Sequence, residues 1–176
     1  MKCLTTLGLM AGALVVALGL SSAKADEQPA GKSTVLTNES LKEMLVNLGF
    51  EPQEVKSTAG DPMYLVTLKR DNWTLAVYVS ISPSKTKIWM SAPVADLPQA
   101  DKVSATALEK LLALNDNLGP THFCLKGRRL YLCVSLDNVD VAPKQLRTEI
   151  DGVLATVRST HESWKNLATE SPVASK

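Results

Sequence analysis

Histidine and cysteine are scarce in this sequence, with two and three copies in 176 residues, and 19 Lys and Arg stand against 18 Asp and Glu. That balance removes the basic footprint expected of a nucleic-acid binder, and equally an acidic tail. His122 and His161 are the only imidazoles, and no cysteine pair has the two-residue spacing of a zinc knuckle. The segment Asp137-Asn-Val-Asp140 lacks the repeated acids and the glycine of a calcium loop. Neither a glycine-rich phosphate loop, nor a G-x-S-x-G elbow, nor an H-E-x-x-H pair is present. No metal, cofactor or catalytic residue is therefore expected. Long apolar runs are missing too: Leu7 to Leu20 gives about 14 residues, short of the roughly 20 needed to cross a bilayer.

That short run has a different meaning. Met1-Lys2 is a basic start, the Leu7–Leu20 stretch is apolar, and Ala23-Lys24-Ala25 is a small-x-small site ahead of polar Asp26, the order of a secretory signal peptide. Residues 1–25 are expected to be removed. Cleavage takes Lys2, Lys24 and Cys3 with it, leaving 151 residues, 17 bases, 18 acids and two cysteines. The expected destination is the periplasm or the extracellular space, where a disulfide can persist. No membrane span is expected after cleavage.

Residues 26–37 carry Pro29, Gly31, Ser33 and Thr34 with little apolar content and read as a flexible leader. A single domain is expected over 38–167, and residues 168–176 read as a disordered tail. Within the domain the period changes several times. Leu41, Met44, Leu45 and Leu48 repeat at helical spacing, with Thr37 or Asn38 to cap and Gly49 to stop, which predicts a helix at about 38–48. Met63–Leu68, then the alternating run from Trp73 to Ser82, then Lys87–Ser91 ended by Pro93, predict three strands. Ala107, Leu108, Leu111, Leu112 and Leu114 mark a second helix. Phe123 and Leu125, then Leu130, Leu132, Val134 and Leu136, mark a hairpin. Pro143 opens a last helix whose stripe runs through Leu146, Ile150, Val153, Leu154, Val157, His161 and Trp164. The order is αβββαββα. Alternating strands with short connections imply an α+β fold, an antiparallel sheet of about five strands with helices on one face.

Alternation places Cys124 and Cys133 on the same face of the hairpin, opposite its leucines. Whether they bond depends on register. A turn centred on Arg128-Arg129 sets them opposite one another, whereas one on Lys126-Gly127 separates them by four residues along the ladder. Glycine's readiness for positive φ favours the second register. His122 shares that face, but no third group orients it toward a thiol, which leaves a Cys–His nucleophile unsupported. If Leu75, Val77, Val79 and Ile81 point to the helices, Tyr78 points away, and Tyr131 and the cysteines join it, with Trp89 added when the third strand has matching register. This mildly apolar, aromatic face is the candidate partner surface.

The opening helix with Leu41-Lys-Glu-Met-Leu45 and Leu48-Gly-Phe50, Leu114-Asn-Asp-Asn117 after helix two, Arg129-Leu-Tyr-Leu132 and Asp140-Val-Ala-Pro143 together resemble the YbjN family, similar in fold to the type III secretion chaperones. The resemblance spans about residues 38–160. It implies a small non-enzymatic module, often a homodimer, that in the chaperone branch holds a partly unfolded polypeptide along its surface. That branch is cytoplasmic and usually acidic, unlike an exported chain of formal charge −1. The expectation is thus an exported, chaperone-like protein-binding module acting through a sheet face or a helix groove. A carrier of a small apolar ligand is the alternative, and a cysteine-dependent enzyme the third reading.

Overall fold

The computed structural model describes residues 33–57, 60–99 and 103–167. The expected signal peptide, leader residues 26–32 and the tail 168–176 lie outside the described residues. Helix α1 spans Asn38–Asn47, and Thr37 caps it in a reciprocal box with Ser40. Its apolar spacing buries Leu41 and Leu45, and Gly49 leaves the helix at φ +82. Four strands follow: β1 Gln53–Lys56, β2 Pro62–Arg70, β3 Trp73–Ile81 and β4 Lys87–Asp96. Helix α2, Ala105–Leu114, is capped by the Ser104 hydroxyl, and β5 His122–Lys126 and β6 Arg129–Asp137 form the hairpin. Helix α3, Pro143–Ser159, and a short α4, His161–Trp164, complete the order.

The sheet is six-stranded, in spatial order β1-β2-β3-β4-β6-β5, with every neighbouring pair antiparallel. The α+β class and the sequence of elements are as expected, with one strand more. Strand β1 escapes a pattern reading because it is four residues, Gln-Glu-Val-Lys, with only Val55 partly buried. Its backbone pairing to β2 makes it a strand, not an apolar alternation, and a charged edge of this kind discourages pairing with other chains.

Two boundaries also differ from expectation. The third expected strand does not end at Pro93 but continues to Asp96, because Pro93 sits beside a register shift where the ladder is interrupted. The last helix does not run unbroken to Trp164. At Thr160, φ −98 and ψ 2, the Oγ1 hydroxyl donates to the Thr156 carbonyl at 2.7 Å, and the chain restarts as α4. The new direction brings Trp164 into the core, and His161 packs edge-on between Trp73 and Trp164, with centroids 5.0 and 4.7 Å away.

One face of the sheet and the helices enclose the core. Val66, Val77, Met90, Leu132 and Ile150 are fully buried there, each apolar side chain stabilising by about 1.5–3 kcal/mol. Two polar clamps fasten its margins. Asn115 accepts from the Phe123 amide at 2.7 Å and donates to the Phe123 carbonyl at 3.2 Å, tying β5 to the end of α2. Buried Asn138 does the same for the entering chain, at the end of the segment read as leader: it donates to the Leu36 and Lys85 carbonyls and accepts from the Leu36 amide.

Candidate functional site

The opposite sheet face carries no helix-facing leucines. Cross-strand pairing sets Leu65 against Tyr78, Tyr78 against Ser91, Ser91 against Cys133 and Cys133 against His122, a single row from β2 to β5. Trp89 stands one step along β4, opposite Ser80 on one side and Ser135 on the other. Tyr131 stands one step the other way, opposite Pro93 and Cys124. Because side chains two apart share a face, the register brings Tyr78, Trp89, Tyr131, Cys124 and Cys133 together, and all five line one open hollow of about 790 Å³. Trp89 is 39% exposed, an unusual position for an indole on a strand and the most accessible aromatic surface of the hollow.

The hollow's rim is charged. Lys56, Lys126, Arg128 and Arg129 border it with Asp96. Arg129 grips Asp96 through both carboxylate oxygens, at 2.5 and 2.9 Å, a planar fork-on-carboxylate fit. The Arg129 hydrogen bond holds the Asp96 carboxyl below the usual carboxylate range. The basic hairpin tip, Lys126 to Arg129, thus furnishes part of the site wall through Lys126, Arg128 and Arg129. Asp96 could not be anticipated, since its orientation depends on the irregularity after Pro93.

Neither of the two hairpin registers weighed from sequence occurs. Lys126 pairs with Arg129, so the turn residues are Gly127 and Arg128, with Gly127 at φ +61 in the first central position as a type II′ turn requires. Cys124 then faces Tyr131, and Cys133 lies on the diagonal, two residues along. The thiols are free and their sulfurs are 2.7 Å apart. Hydrogen bonding from Cys133 is the main cause that lowers the Cys124 thiol to about 7, helped by the Lys126 charge and opposed by burial. The same bond and burial push Cys133 upward.

A second apolar surface lies at the sheet edge. Leu112 on α2 and Leu125 on β5 are 59% and 51% exposed and flank a groove of about 70 Å³ floored by Leu108, Leu111, Phe123 and Leu130. Alternation assigns Leu125 to the core face, but β5 is an edge strand that reaches past the helix cover. A space of this size is far below the few hundred Å³ that a carried small molecule occupies. Among the described residues no cluster of three or more His, Cys, Asp or Glu side chains could hold a metal, and no helix is long and apolar enough to cross a membrane.

Comparisons with known proteins find likeness in structure alone. No family model and no curated protein matches the chain. The ExsC–ExsE complex is similar at a TM-score of 0.51 and 15% identity, over 78% of this chain and all of that one. An uncharacterized protein from Methanothermobacter thermautotrophicus is similar at 0.51 and 15%, over 76% of this chain and all of its own. The HopA1–SchA chaperone–effector complex also matches, at a TM-score of 0.46 and 19% identity, over 69% of this chain and 90% of that one. At such identities the likeness is one of fold: the chain shares an α+β architecture that occurs in a protein–protein complex.

Proposed function

We propose that this chain is an exported, non-catalytic protein-binding module, chaperone-like in the manner the YbjN resemblance implies, and that it engages a polypeptide partner on the open face of its sheet. The observation that carries the reading is the set of Tyr78, Trp89 and Tyr131 brought by register onto one open hollow, with Trp89 left 39% exposed. Aromatic side chains of this kind supply large contact area at low cost in side-chain entropy, and they dominate the energetics of protein interfaces. A basic rim around an apolar floor suits a polypeptide that alternates apolar and acidic residues. The similarity to the ExsC–ExsE complex supports a fold suited to holding another chain.

The test is capture from the envelope fraction of the native cell, using the full chain tagged at its C-terminus. A specific partner is expected with the wild-type protein, and replacing Tyr78 and Tyr131 by alanine should reduce its recovery while circular dichroism stays unchanged. Recovery of the bait alone would defeat the reading. N-terminal sequencing of the exported protein checks the cleavage, with Asp26 expected as the first residue.

A further inference from the structure

The thiol pair lines the same hollow as the three aromatics, but partner binding through those aromatics assigns it no role, and its placement is specific. Both sulfurs open onto the hollow, both cysteines sit on strands pinned by Asn115 and by the β4 ladder, and they are 2.7 Å apart. A disulfide needs about 2.05 Å, so the sulfurs close by only some 0.6–0.7 Å, with the hairpin register unchanged. The right-handed twist of a tight hairpin brings one diagonal of residues together, which is why a pair two residues out of opposition can touch. The two are not equivalent: Cys133 is 8% exposed, whereas Cys124 is half-buried, on the outer strand, and flanked by the basic rim of Lys126 and Arg128.

We propose that Cys124 and Cys133 form a thiol–disulfide exchange site for an anionic low-molecular-weight disulfide, with Cys124 as the attacking thiol and Cys133 as the resolving one. The Cys124 thiolate attacks one sulfur of the oxidant, forming a mixed disulfide and expelling one thiolate, which takes up a proton. Cys133 then gives up its proton and attacks the Cys124 sulfur, forming the intramolecular bond and releasing the second thiol. Two protein thiols are oxidised and one small disulfide is reduced to two thiols; two electrons and two protons pass to it. The basic rim favours an oxidant carrying carboxylates, and the accessible side of the pair decides which thiol reacts first. The assignment applies to the unoccupied face and does not depend on which polypeptide that face takes.

The experiment equilibrates the full chain in graded ratios of oxidised to reduced glutathione, quenches with an alkylating reagent and maps the cysteine peptides by mass spectrometry. A single transition is expected, from both thiols alkylated to a Cys124–Cys133 bridged peptide pair, fully reversed by dithiothreitol. The Cys133→Ala variant should accumulate one glutathione per chain on Cys124, and Cys124→Ala should yield at least tenfold less adduct. Cys3 lies on a separate peptide and is scored separately. Two alkylatable thiols in wild-type protein at the most oxidising ratio would overturn the proposal, as would an adduct that forms first on Cys133. The wild-type arm needs no variant to fold.

Discussion

Asn138 and Leu36 are paired as though they were neighbours in a strand: the Asn138 side-chain oxygen accepts from the Leu36 amide at 3.1 Å, and its nitrogen donates to the Leu36 carbonyl at 3.0 Å. The same nitrogen donates to the Lys85 carbonyl at 2.9 Å, so one wholly buried side chain joins the entering chain, the β3–β4 turn and the end of β6. Asp140 continues the attachment, accepting from the Thr34 amide at 2.7 Å while its own amide donates to the Thr34 carbonyl.

Replacing Asn138 by leucine, which has the same branching but is larger and has no polar atoms, leaves the Leu36 and Lys85 carbonyls and the Leu36 amide without their partners. These groups are part-buried and regain some water, so each costs near the low end of the roughly 1–3 kcal/mol of a buried orphan, and a loss of about 3 kcal/mol in all is expected, read as a lower midpoint in urea. Amide exchange should accelerate first at Leu36 and in the Lys85 turn.

Trp89 is expected to behave in the opposite way. Its side chain is partly exposed and lies off the core, so Trp89→Ala should change stability by less than about 1 kcal/mol while partner capture falls by tenfold or more. Equal losses of stability and capture would place the indole in the fold and not in the interface.

Alkylation of Cys124 should follow its thiolate. With the thiol held at about 7 by the hydrogen bond from Cys133, the iodoacetamide rate should rise with pH through a midpoint near 7 and fall below it. Lys126 is the charged group that adds to the shift, and burial opposes it. Cys133→Ala removes the donor, and the midpoint should move up toward the ordinary thiol range, measured by pH-resolved peptide mass spectrometry.

Gly127 occupies a position that a side chain rarely adopts, φ +61, although no atom lies within 4 Å of where a Cβ would be. The cost of Gly127→Ala is therefore conformational and not steric crowding, about 1–2 kcal/mol in thermal or urea unfolding. Gly127→Asn, which tolerates this region, should recover about half of it.

Most elements were legible in sequence because burial imposes a period. The stripe of α3 and the alternation in β3 and β6 could be read directly, and the inward leucines of β6 put Tyr131 and the cysteines on the other face. What escaped was governed by backbone geometry. Strand β1 is fixed by pairing to β2 with hardly any apolar signal. The hairpin register turned on which residue follows Gly127 in the turn, and a shift of one moved Cys133 from four residues away to two. The exposure of Leu112 and Leu125 follows from where the helix cover stops, which no local pattern records.

The irregularity after Pro93 has a consequence for sign and not only for shape. Val94 is an extra residue in the ladder: Pro93 pairs with Tyr131 and Ala95 already with Leu130, so Val94 and Ala95 both turn inward, at 1% and 2% exposure. Strict alternation from Pro93 would have sent Asp96 into the apolar interior. The added residue reverses the parity of everything after it, and the carboxylate emerges on the hollow, where Arg129 meets it. A single inserted valine thus decides whether β4 ends by burying a charge or by presenting one.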